Sequence, residues 1–326
     1  MTVLVMLISI FFTNCNKGGS SSAPAKEYPA DVAVAWMNLH MKLTVVTPGF
    51  NSVVADRSFA YAGLVLYESV VPGMKDYQSI ALQLGAGSVN NLSGSQTASY
   101  YWPASANAAM AAITKSLFGN ASAASLATID SLEAAFHTQF QSQASAKEIE
   151  NSELFGRQVA SAIFEWSKTD GGDQAYSHVT SPAYIPPTGP DRWIPTPPAF
   201  GAPILPYWGN NRSFVAGIAA ATQPGAPTAY SETPGSAFYE MVNELYTVSL
   251  TLSHDDSTIV KFWADLPTNY NVPAHATSIL TQLVLAKHLK LDKAAVAYAK
   301  HGMAMNDASI SVFKTKYNYH QITTTN

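Results

Sequence analysis

Eight histidines, one cysteine and a lysine pair near the C-terminal end are the side chains in this sequence best able to do chemistry beyond packing. The histidines do not form a metal-binding or nucleophile-activating pattern. No two stand four residues apart, there is no His-Glu-x-x-His, and Gly-x-Ser-x-Gly, the phosphate-binding loop and the dinucleotide glycine fingerprint are missing. His254 beside Asp255 and Asp256 comes nearest to a cluster. Acids in that place read as a helix start, where negative charge complements the positive end of the helix dipole. His137, His178, His275, His288 and His301 are scattered, and each alone reads as a surface or hydrogen-bonded core residue.

Cys15 is the only cysteine, so internal disulfides, thiolate zinc sites and redox thiol pairs are excluded. It follows the apolar run Val3 to Phe12, which is too short to span a bilayer and has the length of a signal-peptide core. The segment Phe12-Thr13-Asn14-Cys15 resembles a bacterial lipobox, in which the cysteine becomes the lipidated first residue, and Gly18 to Ser22 reads as a flexible tether. Asn14 stands where Gly, Ala or Ser is usual, and the alternative is an ordinary signal peptide with an incidental cysteine. The expectation is an exported bacterial lipoprotein, anchored to the membrane at Cys15, in the periplasm or at the cell surface.

These groups need a scaffold, and the composition describes one. Of the 326 residues, 47% are hydrophobic, ample for a core, and 12% are charged, about half the usual share of roughly 25%. The net charge of -4 leaves no basic footprint for nucleic acid. Apolar residues recur at helical spacing, so the fold class is all-α. Pro29 opens a helix carrying Val32, Trp36, Leu39 and Leu43, ending near Pro48-Gly49, and a second runs from Val53 to Val71. Further helices are expected from Pro103 to Phe118, from Ser122 through Phe136, and from the capping box Ser145-Ala146-Lys147-Glu148 to about Lys168.

From Thr169 to Arg212 nine prolines forbid sustained helix or central strand. This extended arm holds Tyr184, Trp193, Phe200, Leu205, Tyr207 and Trp208, which favours its packing over the helices. Helices resume over Ser236 to Leu252, Asp255 to Ala264, Pro273 to Leu289 and Asp292 to Tyr317, with Asp292 the expected N-cap. The division is 1–26 signal peptide and tether, 27–168 N-terminal helical bundle, 169–235 Pro- and aromatic-rich arm, and 236–326 the start of a second bundle.

Longer signatures add a resemblance. Tyr184-Ile185-Pro186-Pro187-Thr188-Gly189-Pro190-Asp191-Arg192-Trp193, with Pro206-Tyr207-Trp208-Gly209, is similar to the connecting arm of bacterial vanadium-dependent haloperoxidase homologues. Phe262-Trp263-Ala264-Asp265 and Pro273-Ala274-His275 look like segments of the same family, a branch of the type 2 phosphatidic acid phosphatase superfamily. Asn306-Asp307-Ala308 through Tyr319 resembles the helix bearing that family's first anion-site lysine, which places the lysine at Lys316.

The resemblance implies a multi-helix bundle around a vanadate cofactor or a phosphate, held by Lys-x6-Arg-Pro, Pro-Ser-Gly-His and Ser-Arg-x5-His. Counting from Lys316 puts Thr323 where the arginine belongs and Thr324 where the proline belongs, and the two later motifs do not occur. Lys316 alone also reads as a cation complementing a helix C-terminus. The expectation is the N-terminal part of a haloperoxidase or acid phosphatase, truncated at the C-terminus, binding no vanadate itself and inactive as written. A truncated bundle should expose an apolar face and self-associate. The alternative is a non-catalytic helical surface lipoprotein that binds a glycan or protein partner.

Overall fold

Most of the long helices begin where a side chain accepts the helix's first free N–H groups. Asn51 accepts from Val53 and Val54, Ser122 from Ser125, Ser236 from Tyr239 and Asn271 from Ala274. Ser145 with Glu148, and Ser253 with Asp256, close reciprocal capping boxes. In the computed structural model, which describes residues 22–90, 92, 98–265 and 270–321, the helices are α1 (Asp31–Val46), α2 (Ser52–Val70), α3 (Gly87–Asn90), α4 (Trp102–Leu117), α5 (Ala123–Phe140), α6 (Ala146–Ser167), α7 (Ile218–Ala221), α8 (Ala237–Ser249), α9 (His254–Trp263), α10 (Val272–Ala286) and α11 (Leu291–Tyr319). No strand occurs among the described residues, so the all-α expectation holds. Cys15, Thr323 and Thr324 lie outside them. No helix among them is long and apolar enough to cross a membrane.

The core is built around α2, buried from Val53 to Val70. Its chief neighbour is α11, and two glycines set the distance between them. A Cβ on Gly63 would lie 2.7 Å from the Tyr298 carbonyl oxygen, and one on Gly302 would lie 2.6 Å from that of Phe59. Only a residue without a side chain allows the backbones this close. On the other side α4 packs between α2 and α6, and Trp36 of α1 donates its indole N–H to Asn107 of α4 at 2.9 Å.

Asp292 does not cap α11. Lys290 occupies that place with no side-chain bond, and Asp292 is buried two residues further on. The acceptor comes from elsewhere: Leu291 donates its N–H to the Tyr28 carbonyl at 3.0 Å, where Pro29 and Lys290 form an antiparallel bridge.

The arm is fastened at both ends. At its start, Asp170 accepts from Arg57 Nε and from the Tyr61 hydroxyl, both at 2.8 Å, and the guanidinium of Arg212 lies 4.1 Å from the centre of the Trp166 ring. Further on, Phe214 and Val215 donate their N–H groups to Asp307 of α11, each at 2.8 Å. Gly209 lets the arm lie on α11, since a Cβ there would sit 2.5 Å from Lys314 Cα. Only part of the expected aromatic burial is found. Leu205 and Trp208 are buried and Tyr184 and Trp193 half-buried, but Phe200 is 63% and Tyr207 54% exposed. A single extended chain turns one side to the helices and the other to solvent.

Candidate anion pocket at the end of the last helix

The helix α11 stops at Tyr319 because His320 takes a left-handed conformation, φ 50°, and donates its N–H back to the Lys316 carbonyl at 3.0 Å. The arm then closes over this terminus. Trp193 donates its N–H to the His320 carbonyl at 2.8 Å, Arg192 donates to the Tyr319 carbonyl at 2.7 Å, and Arg192 bridges to Gln321. Tyr317 donates its hydroxyl to the Ile204 carbonyl at 2.6 Å. Between arm and helix lies a cavity of about 310 Å³ lined mainly by Tyr184, Trp193, Pro203, Ile204, Lys316, Tyr317, His320 and Gln321.

Lys316 is the cation of this cavity. Its ammonium group lies 5.4 Å from the Phe313 ring centre and 5.8 Å from that of Tyr317, and no carboxylate among the described residues reaches it. Burial without a counter-charge pushes its pKa below the usual lysine range. The pKa of His320 is lowered by burial and, secondarily, by the Arg192 charge. Its Nδ1 is hydrogen-bonded to the Tyr184 hydroxyl at 3.0 Å. Tyr184 stands edge-to-face on Tyr317, centroids 5.4 Å apart and planes at 89°. Burial raises the pKa values of both phenols, helped at Tyr184 by the neighbouring Tyr207 and at Tyr317, which rises to about 12, by Tyr184, so both are neutral at physiological pH.

Vanadate or phosphate carries charge on several oxygens and needs several donors converging on it. The cavity supplies one ammonium, neutral phenols, a neutral imidazole and the Gln321 amide, which already donates to the Thr228 carbonyl at 2.7 Å. The described residues do not make a full site for a tetraoxo anion.

The other histidines stay apart from Lys316. His254 opens α9 with its side chain 94% exposed, as its acidic neighbours imply. His137 pairs with Glu153, His178 contacts Ser177, His288 lies past α10, and His301 is hydrogen-bonded to Thr277. His275 meets Asp265 at 2.7 Å, stacked on Trp263, which joins the two family-like segments at one point. No group of three or more His, Cys, Asp or Glu among the described residues could hold a metal ion. Sequence reasoning missed His320 as a wall of the pocket. It also missed Arg57, Asp170 and Asp307 as fasteners of the arm, because nothing local marks their long-range partners.

No protein-family model and no curated protein matches the chain. Among solved structures it is similar to one described as the first bacterial vanadium-dependent iodoperoxidase. The TM-score is 0.76 at 27% identity, over 90% of this chain and 70% of that one. The chain therefore has the fold of the vanadium haloperoxidases and type 2 phosphatidic acid phosphatases.

Proposed function

We propose, taking that fold as the premise, that Lys316 is the first anion-binding lysine of a haloperoxidase- or acid-phosphatase-type protein, and that the 326 residues by themselves do not turn over peroxide and halide or a phosphate ester. The observation that carries this is the half-buried ammonium of Lys316, without an acidic partner, at the end of a helix that packs along the core of an iodoperoxidase-like fold.

Vanadate, when bound in a complete site, would supply an electrophilic centre that takes up peroxide. Here Lys316 would offer charge to one oxygen, with the Tyr184 and Tyr317 phenols as neutral neighbours. Each oxyanion donor absent from such a site costs on the order of 2–4 kcal/mol of transition-state stabilisation. Thr323 in place of the arginine, and no Pro-Ser-Gly-His or Ser-Arg-x5-His, leave turnover without support.

The test is direct. The purified chain, supplied with vanadate, peroxide and iodide or bromide, should form no more halogenated dye than the protein-free control, and should not cleave an aryl phosphate. Turnover that depends on Lys316 would overturn the claim of inactivity.

The protein is further proposed to be exported and anchored through Cys15, which incorporation of labelled fatty acid, lost in Cys15→Ser, would check. A second reading is favoured by one surface: α8 buries only Phe238, α9 buries no residue, and Met241, Leu245, Val248, Phe262 and Trp263 are exposed. Met241, Leu245 and Val248 fall on one face of α8, a pattern that pairs helices. A second copy of this chain fits that face, and sedimentation should show a dimer or larger species.

A further inference from the structure

The cavity at the end of α11 fits a different kind of anion better than a tetraoxo one. Its one charge sits on one wall, and the remaining walls are rings and aliphatic carbons. Two groups in it are only partly matched among the described residues, Lys316 meeting the Phe313 and Tyr317 rings but no opposite charge. Lys316 has no carboxylate in reach. Trp193 is half-buried with no ring packed on its indole, although Tyr184, Tyr317 and His320 all contact one another.

We propose that this cavity is a binding site for an aromatic monoanion, a ring of about benzoate size with one acid group, the acid on Lys316 and the ring against Trp193 and Tyr184. The proposal rests on reading Lys316 as an anion receptor. One ammonium satisfies one carboxylate by a charge-assisted hydrogen bond. A dianionic phosphate would leave a second charge unmatched in a half-buried setting, which is costly.

The walls select for an aromatic body. Tyr184 and Tyr317, already perpendicular at 5.4 Å, present both an edge and a face to a third ring, the arrangements in which aromatic groups attract beyond their burial. The volume, about 310 Å³, is at the small end of the range of roughly 300–1,000 Å³ for small-molecule sites. Among the described residues, Trp193 is a ring of the cavity wall on which no other protein ring packs.

Calorimetric titration of the full chain tests this with benzoate, cyclohexanecarboxylate, acetate, benzyl alcohol and inorganic phosphate as probes. Benzoate should bind about fivefold tighter than cyclohexanecarboxylate and about tenfold or more tighter than acetate or phosphate, because only benzoate adds ring stacking to a single charge. Benzyl alcohol should not bind measurably. Lys316→Met, which keeps the length of the side chain, should lose benzoate binding with no drop in melting temperature. Trp193→Ala should weaken benzoate about fivefold and leave acetate unchanged.

If phosphate binds through Lys316 as tightly as benzoate, or acetate does, the aromatic proposal fails and Lys316 stands as an anion receptor. Benzoate binding that survives Lys316→Met, or no binding of any anion, removes both.

Discussion

The helices α2 and α8 start alike, each with a polar cap and a run of apolar residues, and end in opposite environments. From Val53 to Val70 every residue of α2 is buried, whereas α8 buries Phe238 alone. Neither cap strength nor apolar content separates them. What separates them is a partner: α2 has α11 against it, close enough to need Gly63 and Gly302, while α8 buries Phe238 alone and α9 meets α10 only at its end, where Phe262 and Trp263 pack on His275. Local sequence makes the helix, and a distant segment decides whether its apolar face is a core or a surface.

The sharpest way to break this contrast is at the buried end of the arm. Asp170→Ala leaves Arg57 buried and uncompensated and should cost about 3–5 kcal/mol in denaturant unfolding. A loss under 1 kcal/mol would mean that the α2 region is not held as described. Next comes the contact between backbones. Gly302→Ala should cost about 1–3 kcal/mol, since its Cβ would press on the Phe59 carbonyl. A neutral result would show the two helices free to move apart.

In the other region effects should be smaller and local. Ser253→Ala removes the α9 cap and should cost about 1 kcal/mol, read as faster amide exchange confined to α9 rather than a lower global transition. Leu245→Glu should change monomer stability by no more than about 0.5 kcal/mol but shift sedimentation toward monomer. Loss of folding instead would place that face in a core.

The smallest effect is electrostatic. With its pKa lowered in the folded state, Lys316 binds protons more readily in the unfolded chain, so its contribution makes stability rise as pH climbs from that lowered value toward the ordinary 10.5. Lys316→Met should flatten this rise in melts taken between neutral and alkaline pH. An unchanged slope would show the ammonium to be well solvated.

How much of this was readable beforehand follows the same division. Caps at Ser122 and Ser145 were legible because the bond runs over three residues. The cap expected at Asp292 failed because the carbonyl of Tyr28, remote in sequence, took over that duty. The prolines announced the arm, but not which of its aromatic side chains would face inward, a matter of register on a surface not yet built. Lys316 was visible only through resemblance. Its ring of neighbours joins Tyr184 and Trp193 to the last turn of α11, a meeting that no local pattern encodes. His320 carries no warning beyond being a residue that tolerates a left-handed turn.

The pairing of Gly63 with Tyr298 also has a consequence in time. A ribosome adding roughly 5–20 residues per second releases α2 tens of seconds before it finishes α11. Throughout that interval α2, whose residues from Val53 to Val70 are all buried in the finished protein, lacks the surface it was shaped for. A chaperone that shelters emerging polypeptide should therefore govern the yield of this protein more than any property of the finished molecule.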